Sequence, residues 1–404
     1  MLPKHTFRIK SKSDLLNHFT SSQKLEIVDI QLVKDILKIN FLPELFEDAE
    51  KRDQLSFNLE FVQKTRKFTF ERQNLQYLHL ISFLTNLTEL NLVMNKISDI
   101  SVISKLKNLK KLDLSTNIIA DLSALQSLAS LRTVDLSGNI ITSYTIALPN
   151  LIDLNLGGNE LQNISGLQFS PQLLNLNLSK TKTTNLSTIP LQLFHLRTLN
   201  LSCNDISEIV YISNFLDLQT VNLSFNRSLQ NIEPLKYCTQ LIALNLNSTC
   251  IADIWPLQYF KNIQSLYLTD TKVVDLHPLQ FLCQLENIRI THACVIDVSP
   301  LSNLTKLKSL FFIYIIQFYI LYNLIKLRIG NPSCITRIFL INNNSRTFHN
   351  IILMIKKFQQ PMSSSSTVKQ VPFTVHTSRS EKFKTIVLSI NSEIHQRKRR
   401  ITSP

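Results

Sequence analysis

LKKLDLSTN, residues 109–117, and LRTLNLSCN, residues 196–204, are two copies of one pattern, L-x-x-L-x-L-x-x-N. Working outward from them, the frame L-x-x-L-x-L begins at Leu87, Leu109, Leu131, Leu151, Leu173, Leu196, Leu218, Leu241, Ile263, Leu285 and Leu307. The steps between starts are 22 residues, apart from one of 20 and two of 23. Its three ladder positions give 33 sites, and all 33 are apolar in a chain that is 44% hydrophobic. Chance yields that about once in a trillion tries. A period in this range means a stack of repeats, each unable to bury its own apolar face.

Two further columns keep the same period. Eight residues after each start stand Asn95, Asn117, Asn139, Asn159, Thr181, Asn204, Asn226, Thr249, Thr271, Ala293 and Ile315. A polar side chain repeated inside a stack must satisfy backbone groups of neighbouring turns. Pro234, Pro256, Pro278 and Pro300 form the second column, 22 residues apart, and proline there starts a segment that needs no ladder donor. With the I-x-D-I segments Ile97–Ile100 and Ile251–Ile254, these residues resemble the leucine-rich repeat family. The 22-residue length is similar to the short subclass that includes the leucine-rich regulatory subunit of protein phosphatase 1 and the bacterial internalins. The resemblance implies an α/β solenoid: a horseshoe with a parallel concave β-sheet and short 3₁₀ or extended convex segments.

The boundaries follow from where the pattern starts and stops. Phe68, Phe70, Gln73, Leu75 and Leu78 fall in ladder phase, so the array is expected over 65–310, with one degenerate repeat before the regular ones. Residues 1–64 are expected as a mainly helical N-terminal cap, because Leu25 to Ile39 space apolar residues helically. Residues 311–360 open with FFIYIIQFYILYNLI, Phe311–Ile325. That segment reads as a distorted last repeat closing the core, an apolar segment near the short limit for crossing a membrane, or a drifted end. Residues 361–404, with Ser363–Ser366 and Arg397–Arg400, read as a basic disordered tail.

Charge sorts the possible partners. The net +14 is carried by residues 311–404, net +12, while residues 87–310 are neutral. Nucleic acid or anionic lipid would therefore be met through the tail alone. Five glycines leave no material for a phosphate cradle, and no nucleotide, zinc-protease or serine-nucleophile motif occurs. Asp270 and His292 share a position on adjacent repeats, but no third ligand or nucleophile joins them. Neither catalysis, a cofactor, a metal nor a small-molecule substrate is expected. Six scattered cysteines without C-x-x-C, and Met1–Asp14 with four basic residues and no apolar run, point to a reducing, cytoplasmic setting; Arg397–Arg400 offers a nuclear address. N-L-S or N-L-T occurs at Asn86, Asn177, Asn185, Asn200, Asn222 and Asn303. Three of these fall mid-strand, where glycans would block the face, so they read as repeat grammar.

The third, fifth and seventh residues of each frame point outward from a strand, with the eighth at its edge. Most are Asn or Ser. Two groups depart from that filler: Glu89, Asp113, Asp135 and Asp153 at one end, and Phe225, Tyr267, Arg289 and His292 at the other. The first suits a basic partner; the second holds residue types enriched in binding hot spots. The expectation is a monomeric scaffold that grips another protein on its concave face. The phosphatase-regulator resemblance implies a phosphatase catalytic subunit as that protein. Lys369–Phe373 (KQVPF) lies close to the docking peptide of such phosphatases, K-x-V-x-F, with proline departing from it.

Overall fold

A computed structural model describes residues 6–8, 66–313 apart from 73, 77, 79, 80, 83, 292–294 and 296, then 337–342, 373–379 and 384–390. The chain divides into two units, Met1–Asn204 and Asp205–Pro404. The first carries strands β1 (Thr6–Arg8), β2 (Lys67–Thr69), β3 (Glu89–Asn91), β4 (Lys111–Asp113), β5 (Thr133–Asp135), β6 (Asp153–Asn155), β7 (Asn175–Asn177) and β8 (Thr198–Asn200), each parallel to the one before. The second carries β9 (Thr220–Asn222), β10 (Ala243–Asn245), β11 (Ser265–Tyr267), β12 (Asn287–Thr291), β13 (Ser309–Ile313) and β14 (Arg337–Asn342), also parallel in sequence order. β15 (Phe373–Arg379) and β16 (Lys384–Ile390) pair antiparallel, and β16 pairs antiparallel with β14.

Both units are parallel-stranded solenoids in the register that the sequence sets. Each strand from β3 to β13 starts at the third residue of its frame, so the ladder residues turn inward. Every described ladder residue is at most 2% exposed. At about 0.8 kcal/mol per buried methylene, these stacked leucines are the largest stabilising contribution in each repeat. Phe68 of the degenerate repeat faces Leu90 in register, and Phe70, Leu75 and Leu78 are buried as their phase requires.

Opposite the strands run 3₁₀ turns, each with one inward leucine or isoleucine such as Leu125 or Leu235. Pro234, Pro256, Pro278 and Pro300 stand in the first two positions of Glu233–Tyr237, Trp255–Tyr259, His277–Phe281 and Ser299–Asn303. A second column prepares these turns, save Val210–Asn214, where Glu208 stands in its place. Asp99, Asp121, Asn163, Asn185, Asn231, Asp253, Asp275 and Asp297 each accept the N–H two residues on, at 2.7–2.9 Å. This Asx geometry starts the turn before a helix could form.

The buried Asn column stitches repeats together. Asn117 Nδ2 donates to the Leu114 carbonyl of its own repeat and the Leu92 carbonyl of the previous one, both at 3.0 Å, while its Oδ1 accepts from Ile97 N. Asn95, Asn139 and Asn159 repeat the arrangement. Threonine is too short to bridge. Thr181 Oγ1 reaches only Leu178 among carbonyls, and Leu161 N turns instead to the Thr181 carbonyl, at 3.1 Å.

Three expectations need comment. Among the described residues no α-helix occurs, and the helical reading of Leu25–Ile39 lies outside them; within 1–64 only β1 is described, a strand on β2. Of Phe311–Ile325, Phe311–Ile313 complete β13 and the rest lies outside the described residues. Within 361–404, read from composition as a basic disordered tail, the described residues are those of β15 and β16. Thr, Val and Ile crowd FTVHTSR and KTIVLSI, and that local strand preference outweighs the tail's overall composition.

Candidate binding face

The strand face has its own hydrogen-bond grammar. In the fifth column, Oδ1 of Asn91, Asn155, Asn177, Asn200, Asn222 and Asn245 accepts the N–H two residues on at 2.9–3.1 Å. Asp113 and Asp135 do the same for Ser115 N and Ser137 N. The column ends each strand after three residues, so its Asn/Asp content is structural in the first place.

Tyr267 and Arg289 abandon that grammar. Neither side chain can accept a backbone N–H at the strand end as Asn does. At Tyr267 the neighbouring repeat compensates, for Asn247 Oδ1 accepts Thr269 N at 2.7 Å. At Arg289 the strand runs on, and β12 is five residues long. The two residues face each other across β11 and β12, which puts them about 5 Å apart along the sheet. Beside Tyr267 the Thr269 hydroxyl is buried with no hydrogen-bond partner. Phe225 sits at the eighth position, 51% exposed, with φ at 60°. His292 lies outside the described residues, so its pairing with exposed Asp270 does too.

The acidic group is held by the scaffold. Asp113 and Asp135 are register partners on β4 and β5. Each carboxylate takes its serine hydroxyl, Ser115 at 2.7 Å and Ser137 at 2.6 Å, and Asp135 also accepts from Asn155 at 2.8 Å. Asp153 accepts from Thr133 at 3.0 Å and from Asn175. Glu89 is paired with Lys67 at 2.5 Å. That lysine, in the degenerate repeat, is a partner the sequence reading does not name, although the register rule places it opposite Glu89.

The eighth column holds a feature that sequence barely signals. Arg72, Met94, Thr116, Lys180, Cys203, Phe225, Ser248 and Asp270 all have φ of 54–61°, alongside Gly138 and Gly158. Only those two glycines mark it, since non-glycine residues rarely adopt this conformation. Four described cysteines, Cys203, Cys238, Cys250 and Cys283, are free, and burial pushes the Cys238 thiol up to about 12. Among the described residues no three His, Cys, Asp or Glu are arranged to hold a metal, and no helix is long and apolar enough to cross a membrane.

Comparison with known proteins agrees with this geometry. Residues 85–127 match the family model "Leucine Rich repeats (2 copies)", and residues 192–208 match "Leucine Rich repeat". No curated protein matches the chain. Among solved structures, an internalin of Listeria monocytogenes is similar at 25% identity and a TM-score of 0.62, over 76% of this chain and 86% of that one. A leucine-rich repeat protein of Leptospira interrogans is similar at 25% identity and 0.59, over 68% and 72%.

Proposed function

We propose that this chain, a leucine-rich repeat protein, is a non-enzymatic module that holds another protein on its strand face, in a reducing intracellular setting. One observation carries the reading. At Tyr267 and Arg289 the sequence gives up the Asx strand stop used from Asn91 to Asn245, and Asn247 or a longer strand makes up the loss. A scaffold alone gains nothing from that exchange. Tyrosine and arginine are among the residue types enriched in binding hot spots.

The acidic strands support a basic partner. Asp113 and Asp135 stand directly opposite each other, and like charges so placed are mutually destabilising. A lysine or arginine of a partner would relieve them. A phosphatase catalytic subunit is the specific form of this proposal, resting on repeat length and grammar alone.

The test is affinity capture from native lysate, with the full chain and its Tyr267→Ala/Arg289→Ala variant as baits. A partner held by the first and lost by the second supports the reading, and a phosphatase catalytic subunit would fix the subclass. Identical captures on both baits would overturn it.

A further inference from the structure

Three consecutive 3₁₀ turns of the second unit, Glu233–Tyr237, Trp255–Tyr259 and His277–Phe281, end on an aromatic residue. Tyr237, Tyr259 and Phe281 are 54%, 49% and 42% exposed, whereas Leu235, Leu257 and Leu279 of the same turns are fully buried. The repeat thus needs the leucine and not the aromatic. The flanking turns end on Asn214 and Asn303. The row is a property of this stretch, on the side of the solenoid away from the strand face.

Its two borders differ in charge. The aromatic turns are entered at Asn231 and at exposed Asp253 and Asp275, the last paired with His277 at 2.5 Å, and the next turn, Ser299–Asn303, is entered at exposed Asp297; the chain leaves Trp255–Tyr259 past exposed Lys261 and Ser299–Asn303 past exposed Lys306. Lys261 Nζ lies 5.6 Å from the centre of the Phe281 ring, so the lysine border lies against the aromatic row. Lys236, 5.2 Å from the Tyr237 ring, is already paired with Glu233 at 2.6 Å. An anionic lipid or nucleic acid would meet the acidic border as well as the basic one.

We infer that this stripe is a self-association surface, occupied by the same stripe of a second copy about a two-fold axis running along it. That operation lays the acidic border of one copy over the lysine border of the other while the aromatic rows meet. An axis across the stripe would set acid on acid. The interface is isologous and closed, so it makes dimers and not fibres. It leaves the strand face free and revises the monomer expected from sequence. Four half-exposed aromatics, Trp255 included, offer about 400 Å² per copy at about 100 Å² each. A stable interface needs about 800 Å² per partner, so the dimer is weak, with a dissociation constant on the order of 100 µM.

Sedimentation velocity of the full chain from about 5 to about 500 µM brackets that constant. Dimer should form in the upper half of the range. Tyr259→Ser should weaken it by about tenfold or more. The chain with Lys261→Glu and Lys306→Glu, which removes no turn cap, should weaken it similarly, as should the chain with Asp253→Lys and Asp297→Lys. Mixed in equal amounts, these two charge-reversed chains should dimerise about as well as the wild type, since each altered contact is restored with its sign exchanged. If the acid-border chain does not fold, Tyr259→Ser and the lysine-border chain decide alone. A chain that stays monomeric throughout, a dimer indifferent to Tyr259→Ser or to lysine reversal, or two folded charge-reversed chains that gain nothing on mixing would each overturn the inference.

Discussion

Asn117 and Leu92 belong to consecutive repeats, and the Asn117 amide donates to the Leu92 carbonyl at 3.0 Å while also holding Leu114 O and Ile97 N. One buried amide therefore satisfies three backbone groups in two repeats. Asn117→Ala orphans Ile97 N, while Leu92 O keeps the Asn95 amide at 2.9 Å and Leu114 O the Asn139 amide at 3.0 Å. A buried orphan costs ~1–3 kcal/mol, and the expected loss lies in that range. Asn117→Thr should lose less, because Thr181, Thr249 and Thr271 each keep the bond to the carbonyl three residues back, at 2.7–2.9 Å. Chemical denaturation of the three chains checks the order. Alanine and threonine variants of equal stability would contradict it.

Tyr144 marks the one shortened repeat, with 20 residues between starts, where no 3₁₀ turn lies between β5 and β6. Its ring is fully buried. The chain here runs so close to the next turn that a Cβ on Gly166 would stand 2.6 Å from the Ile146 carbonyl. The phenol has no hydrogen-bond partner, for the nearby Ser170 hydroxyl is committed to the Leu148 carbonyl at 3.0 Å. Burial accordingly pushes its ionisation far above the usual tyrosine range. Tyr144→Phe removes an orphaned hydroxyl and keeps the ring, so it should be neutral or stabilising by up to about 1 kcal/mol. Tyr144→Ala should cost ~3–5 kcal/mol. Equal melting temperatures for the two variants would refute this assignment.

The ladder, the Asn column and the Pro column were legible because each repeats an inward residue whose chemistry is constrained. Leu112, Asn117 and Pro234 each have one physical use, and periodicity exposes it. The Asp99-to-Asp297 column was visible only as part of I-x-D-I, since Asp and Asn alternate in it freely. The left-handed column was hidden because backbone geometry, not side chain, defines it, and Thr116 or Lys180 gives no sign. On the face, Tyr267 and Arg289 stood out from sequence, yet the reason they matter did not. It required seeing that Asn245 stops a strand and that Asn247 stands in where tyrosine cannot. Glu89 stood in the acidic group, but its partner Lys67 did not, because phenylalanines and not leucines mark the phase of the degenerate repeat that carries it.

Asp121, Asp275 and Asp297 predict a pH dependence with a definite sign. The backbone N–H of Ser123, His277 and Ser299, and then those residues' side chains, hold the three carboxyls below the usual range. Folded pKa values below unfolded ones mean that protonation favours the unfolded chain. The contribution is complete above about pH 4 and is lost as pH falls through the folded values. All three are exposed, so each effect is small and screened by solvent. Asn163, Asn185 and Asn231 perform the same capping without charge, at 2.7–2.9 Å. The triple Asp→Asn variant should thus keep its melting temperature at neutral pH and show a shallower decline between about pH 5 and about pH 2. An unchanged acid slope would show that these carboxylates do not carry the acid-side loss, and a large loss at neutral pH would show that the charge and not the Asx geometry holds the turns.

Phe225 couples stability to binding. Its φ of 60° is imposed by the column it belongs to, since Met94, Lys180 and Ser248 share it, and glycine occupies it at Gly138 and Gly158. A non-glycine residue in that conformation is held at a cost of ~1–2 kcal/mol, against which glycine loses ~0.5–1 kcal/mol of extra unfolded-chain entropy. Phe225→Gly should therefore raise stability by about 0.5–1 kcal/mol, because the half-exposed ring gives up little burial. The same substitution removes an exposed aromatic from the hot-spot region around Tyr267 and Arg289. Affinity for a partner captured on the strand face should fall by about tenfold, the usual loss when a contributing aromatic is truncated. Thr116→Gly is the control: the same backbone position and the same relief, in a repeat with no aromatic to lose. It should stabilise the chain by as much or more, since threonine is β-branched, and leave binding at the Tyr267–Arg289 patch unchanged. Phe225→Gly and Thr116→Gly that behave alike in binding would remove Phe225 from the site and leave it as one more residue of the left-handed column.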